Sequence, residues 1–187
     1  MFIDYVTLLL INMVGALIVL AAFVYKGLDE VDQRHWAPAF ALPGLIALVN
    51  GLNMSWNWPL PGSYNVAYGD LSVLFGTIYL AAGWSLVMNR SLMPVAIYAF
   101  FVGLASFVVG ERVFTLNMTT SPPFSAAGFF LTGILGICAA PALYLRSNRF
   151  VRIAGVLVIL AATFVWALNG YGGYWMHLQT FSKWTPH

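Results

Sequence analysis

The segment Tyr5–Tyr25, YVTLLLINMVGALIVLAAFVY, carries no charged residue and no proline. At a helical rise of about 1.5 Å per residue it reaches ~30 Å, the thickness of the hydrocarbon layer of a bilayer. A helix apolar on every face is either enclosed by protein or immersed in lipid, and a chain of 187 residues has little protein with which to enclose it. The residues before it include Asp4 but no Lys or Arg, and no small-residue cleavage site follows. Tyr5–Tyr25 is therefore expected to be a retained first membrane helix rather than a secretory signal.

The rest of the chain repeats the pattern. Hydrophobic residues make up 61% of the sequence and charged residues 7%, against roughly 25% charged in soluble domains. Runs long enough to span lie near 5–25, 37–54, 70–89, 93–115, 125–145 and 153–175, separated by short segments with polar, proline or glycine punctuation. The expected fold is all-α: one polytopic transmembrane domain over residues 1–187, a bundle of six helices. Small residues four apart, Ala99 with Gly103 and Ser106 with Gly110, predict close helix packing within it, as do Gly128, Gly133, Gly136 and Ala140 in the fifth run.

Lys and Arg orient the bundle. Lys26, Arg34, Arg90, Arg146, Arg149 and Arg152 fall in the loops of one side, which the positive-inside rule makes cytoplasmic. Both termini then face the non-cytoplasmic side, most simply of a prokaryotic plasma membrane. A net charge of +2 with scattered basic residues argues against nucleic acid as a partner. Membrane lipids, other membrane subunits or a second copy of the chain are the partners expected. The single cysteine, Cys138, sits in an apolar run and reads as a packed, inert thiol.

Polar residues gather on the side of the termini. Glu111 and Arg112 end the fourth run, at the edge of the hydrocarbon. Adjacent helical residues diverge by about 100°, so each needs its own partner. Asp70, at the start of the third run, is the expected partner of Arg112. The loop Ser55–Asn65 contributes Trp56, Trp58, Tyr64 and Asn65, with two prolines and a glycine to fix its path. These seven residues are the candidate interaction or vestibule surface. As structure alone, they make an aromatic belt, a rigid cap and an interfacial ion pair.

The run Trp58-Pro59-Leu60-Pro61-Gly62, followed by Tyr64-Asn65 and by Gly69-Asp70 entering a helix, resembles an uncharacterised family of small polytopic bacterial and archaeal membrane proteins, the domain of unknown function numbered 981. The resemblance implies a multi-spanning fold over most of the chain. It implies no activity, ligand or catalytic residue.

Cofactor chemistry finds little support. A bis-histidine haem needs two histidines facing each other across helices. Here His35 lies at one rim, His177 at the other, and His187 is the last residue. A copper site at His177 with Met176, Met118, Met54 or Asp70 is the one metal arrangement the spacing allows, although methionines in apolar helices more commonly fill gaps. No nucleophile or phosphate-binding motif is present, so neither a cofactor nor intrinsic catalysis is expected. Two readings remain. The favoured one is a non-catalytic structural or accessory subunit with its interaction face on the non-cytoplasmic side. The alternative is a small transporter, channel or ligand-binding protein with an outward polar vestibule. Finally, Leu52-Asn53-Met54 and Leu116-Asn117-Met118 echo each other, which would mark parallel repeats of a helical hairpin if it were not chance.

Overall fold

Capping and backbone conformation divide the chain where the apolar runs end. The computed structural model describes residues 4–183. Its six long helices are α1 (Tyr5–Tyr25), α2 (Ala37–Asn57), α3 (Leu71–Val87), α4 (Met93–Thr115), α5 (Pro122–Tyr144) and α6 (Arg149–Thr180). Six helical stretches are long and apolar enough to cross a membrane: α1, α4, α5 and α6 as they stand, and α2 and α3 together with the turns that lead into them, over Arg34–Asn57 and Asn65–Val87. Among the described residues there is no strand. Asp4 caps α1 by accepting from the Thr7 amide at 3.3 Å, and Asn148 caps α6 by accepting from the Phe150 amide at 2.9 Å. Prolines stand in the first turns of α2, α4 and α5, where a missing amide hydrogen costs nothing. Asn89 and Asn117, just beyond α3 and α4, take φ of 50°, a conformation asparagine tolerates better than most residues.

The helices alternate in direction, so both described ends of the chain lie at one end of the bundle, here the terminal end. The other end holds the Lys- and Arg-bearing turns, here the basic end. Three antiparallel pairs build the bundle: α2 with α3, α4 with α5, and α1 with α6. Glycine makes the first two pairs close. A Cβ on Gly76 would lie 2.5 Å from the Leu48 amide nitrogen, and one on Gly51 would lie 2.8 Å from the Gly69 carbonyl. Gly103 and Gly136 meet similarly across α4 and α5, with the Ala99 carbonyl 2.6 Å from a Cβ on Gly136. This is small-residue packing of the kind the α4 spacing predicts. Between the pairs contact is sparser, and sparsest between α3 and α4 among sequential helices.

The two hairpins share a glycine spacing, Gly44 and Gly51 in α2 against Gly103 and Gly110 in α4. The tripeptide echo is not in register with it. Asn53 lies inside α2, whereas Asn117 lies beyond the end of α4 with positive φ. The two copies of Leu-Asn-Met are thus not structurally equivalent.

A cap at one end and a cavity at the other

At the terminal end the loop between α2 and α3 folds onto itself. Trp56 and Asn57 belong to the last turn of α2, and Trp58 closes it in the left-handed region with φ of 47°. The chain returns through a π-helical segment, Asn65–Asp70, before α3. Asn65 holds this return in place. Its side chain is fully buried, accepts from the Leu60 amide at 3.1 Å and donates to the Leu60 carbonyl at 2.5 Å. Tyr64 donates its hydroxyl to the Met118 carbonyl, tying the α2–α3 loop to the α4–α5 loop. Trp56 and Trp58 stay exposed.

Asp70 does not meet Arg112. Its carboxylate accepts the Ser55 hydroxyl at 2.6 Å, because Gly51 and Gly69 bring α2 against the start of α3 while α4 stays further off. Glu111 and Arg112 are both exposed, and among the described residues neither forms an ion pair. His177 sits elsewhere on this end. Its Nδ1 lies 2.5 Å from Asp4 Oδ2 and 3.1 Å from Thr7 Oγ1, joining the last turns of α6 to the start of α1. Both contacts use one ring nitrogen, whereas a nucleophilic relay uses the two nitrogens separately. The cluster is a clasp. Of the methionines considered with His177, Met54 and Met118 are buried, and Met118 takes the Ser63 hydroxyl on its sulfur at 3.7 Å. Among the described residues no three His, Cys, Asp or Glu side chains converge. His187 lies outside the described residues.

Below the cap, rings of Tyr64, Tyr68, Phe129 and Trp166 contact one another in series, and Trp166 donates to the Thr132 hydroxyl at 2.9 Å. Next to this aromatic layer lies a cavity of about 500 Å³ whose lining runs from Met13 and Leu71 toward the basic end of the bundle. Its wall draws on α1 from Met13 to Val24, on α3 from Leu71 to Ala82, on α4 from Val95 to Ser106, on α5 from Thr132 to Leu143 and on α6 from Phe150 to Ile159. Along α4 that is about 16 Å of depth at 1.5 Å per residue.

The wall offers hydrocarbon. Its hydroxyls are turned into the helices: Ser106 donates to the Phe129 carbonyl at 2.8 Å, Thr132 to Gly128 at 2.8 Å and Tyr79 to Ala16 at 2.9 Å. Gly155 faces open space, with nothing within 4 Å of an added Cβ. Cys138, expected to be packed, lies on this wall and is exposed, because the space beside it is unfilled.

At the basic end Arg152 closes α6 against α1. It donates to Asp29 at 2.6 Å, to the Val24 carbonyl at 3.2 Å and to the Tyr25 carbonyl, so it satisfies carbonyls that the end of α1 leaves without helical partners. Glu30 takes His35 at 2.9 Å and the Trp36 indole at 2.7 Å, while Arg34 is bound to Asp32 at 2.9 Å. The Arg34 hydrogen bonds hold the Asp32 carboxyl below the usual carboxylate range.

This architecture has a family. The model of a family described as "Protein of unknown function (DUF981)" matches residues 1–180. The chain belongs to the DUF981 family. No curated protein and no solved structure matches it. Of the residues that carry the resemblance at sequence level, Trp58–Gly62 with Tyr64 and Asn65 form the self-locked cap of this DUF981 chain, and Gly69 and Asp70 lead from it into α3. The cavity was not foreseen from the sequence, where its lining is indistinguishable from other apolar helix surface.

Proposed function

We propose that this protein binds a hydrocarbon-bearing guest within the membrane, in the cavity between its helix pairs. The observation that carries this reading is a cavity of about 500 Å³ whose wall hydroxyls are all satisfied internally. Ligand sites are typically concave, apolar and roughly 300–1,000 Å³. Water is a poor occupant, since a buried water needs two to four polar partners. The aromatic layer at Tyr68, Phe129 and Trp166 makes a through-channel the weaker part of the transporter reading, because conduction needs polar groups along a path.

Mass spectrometry of protein extracted gently from its own membrane tests the reading. The native protein is expected to retain an apolar guest near one per chain. Gly155→Phe, which projects a ring into the cavity, is expected to lose it, while Gly155→Ala keeps it. Equal retention by Gly155→Phe, with an unchanged melting temperature, overturns the proposal.

The accessory-subunit reading keeps one specific support. Trp58 is half exposed although its backbone is in a region costly to a bulky residue. Strain of that kind that packing does not repay often marks a contact surface. Trp56, Glu111 and Arg112 lie exposed at the same end and extend that surface. A heteromeric assembly with an empty cavity in the same mass spectra would favour this reading instead.

A further inference from the structure

The geometry points to an anionic phospholipid of the leaflet at the basic end as the guest, with one acyl chain in the cavity and its headgroup among Lys26, Arg90, Arg146 and Arg149. This inference rests on the reading of the cavity as a guest site and adds the chemistry of the guest's polar end. The wall's hydroxyls are engaged, and its one charged residue, Arg152, is spent on Asp29 and on the carbonyls of Val24 and Tyr25, so recognition of a polar head falls to groups beyond the wall. Four cations lie in or beside the turns of that end, outside the wall and close in sequence to residues that line it. Arg146 lies three residues beyond Leu143 and Arg149 immediately precedes Phe150, and both apolar residues line the cavity. Lys26 stands between the lining residues Val24 and Leu28, and Arg90 is two residues before the lining residue Leu92.

The acidic residues of this end are already committed. Asp29 is held by Arg152, Glu30 by His35 and Asp32 by Arg34. Among the described residues, none of these four cations forms an ion pair or donates a side-chain hydrogen bond, and all four are exposed. Satisfied acids and unsatisfied bases in the turns next to an apolar cavity complement an amphiphile with a negative head. Each cation near an anionic headgroup contributes roughly a factor of five in affinity.

The test offers the purified protein phosphatidylglycerol and phosphatidylcholine of identical acyl chains in mixed micelles and counts bound lipid by native mass spectrometry. The expected result is a preference for phosphatidylglycerol on the order of tenfold. Arg146→Gln with Arg149→Gln should lower the preference several-fold without abolishing binding, since Lys26 and Arg90 remain. Gly155→Phe should abolish retention of both lipids. Glycerol 1-phosphate, the headgroup chemistry without the chain, should not compete. Competition by it would overturn the lipid as the source of the anion. Equal retention of both lipids by the native protein would overturn the headgroup inference and leave the cavity reading standing. A native preference that persists undiminished in Gly155→Phe would mean that the lipid binds on the outer surface, and would overturn both.

Discussion

Asn65 shows how much one side chain can organise. A fully buried amide is costly unless its donor and acceptor are both met, and here one residue, Leu60, meets one of each. Asn65→Ala leaves the Leu60 amide and carbonyl without these partners. It is expected to cost about 1–3 kcal/mol, read as a lowered melting temperature in detergent together with faster proteolysis between Trp58 and Tyr64. The sequence marks Asn65 as polar and close to prolines, which suits a surface site as well as a structural lock. Its burial depends on a chain reversal five residues long, and composition does not encode that. Asp70 and Arg112 teach the complementary lesson. Opposite charges at one depth suggest a pair, but a serine one helix nearer takes the carboxylate.

At the scale of elements, the ends of α1 and α4 are legible because apolar runs begin and end there against charge or proline. Those of α3 and α6 are less so. The return into α3 winds as a π-helical segment over Asn65–Asp70, with Tyr68 and Gly69 buried, where hydropathy suggests loop. Helix α6 continues to Thr180, five residues beyond the apolar run, because the clasp of His177 on Asp4 and Thr7 supports a helix whose surface has turned polar. Small residues four apart announce close packing but not with which neighbour. Gly76 illustrates the difference. Its hydrogen already faces backbone, so Gly76→Leu should force α2 from α3 and lower stability by at least about 3 kcal/mol, beyond the usual cost of overpacking a core that can yield. Gly15→Leu, where an added Cβ meets nothing within 4 Å, should leave the melting temperature nearly unchanged. A comparable loss in both variants would contradict the glycine-mediated pairing.

For the whole molecule, six spans that alternate in direction follow from counting apolar runs. The cavity does not, because a void is a relation among several helices and no single segment displays it. Leu, Val and Ala read alike whether they face lipid, a neighbouring helix or empty space. What reveals it is the packing order: tight α2–α3, α4–α5 and α1–α6 pairs, joined more loosely to each other. The opposed ends also differ, with a locked aromatic cap where the described ends of the chain lie and exposed basic turns where they do not.

The clasp that sets His177 2.5 Å from Asp4 has a consequence for how the chain enters the bilayer. It closes the bundle into a ring of helices, with α6 packed against α1. A circular permutant that joins the two ends by a flexible linker, with new termini between Asn117 and Ser121, would present α5 to the insertion machinery first and α1 third. Every helix would keep its direction and neighbours, since the cut and the join lie at the same end of the bundle. The permutant is expected to accumulate in the membrane and to melt within a few degrees of the parent. If it fails to accumulate, the order in which the helices enter lipid is itself part of the folding instructions.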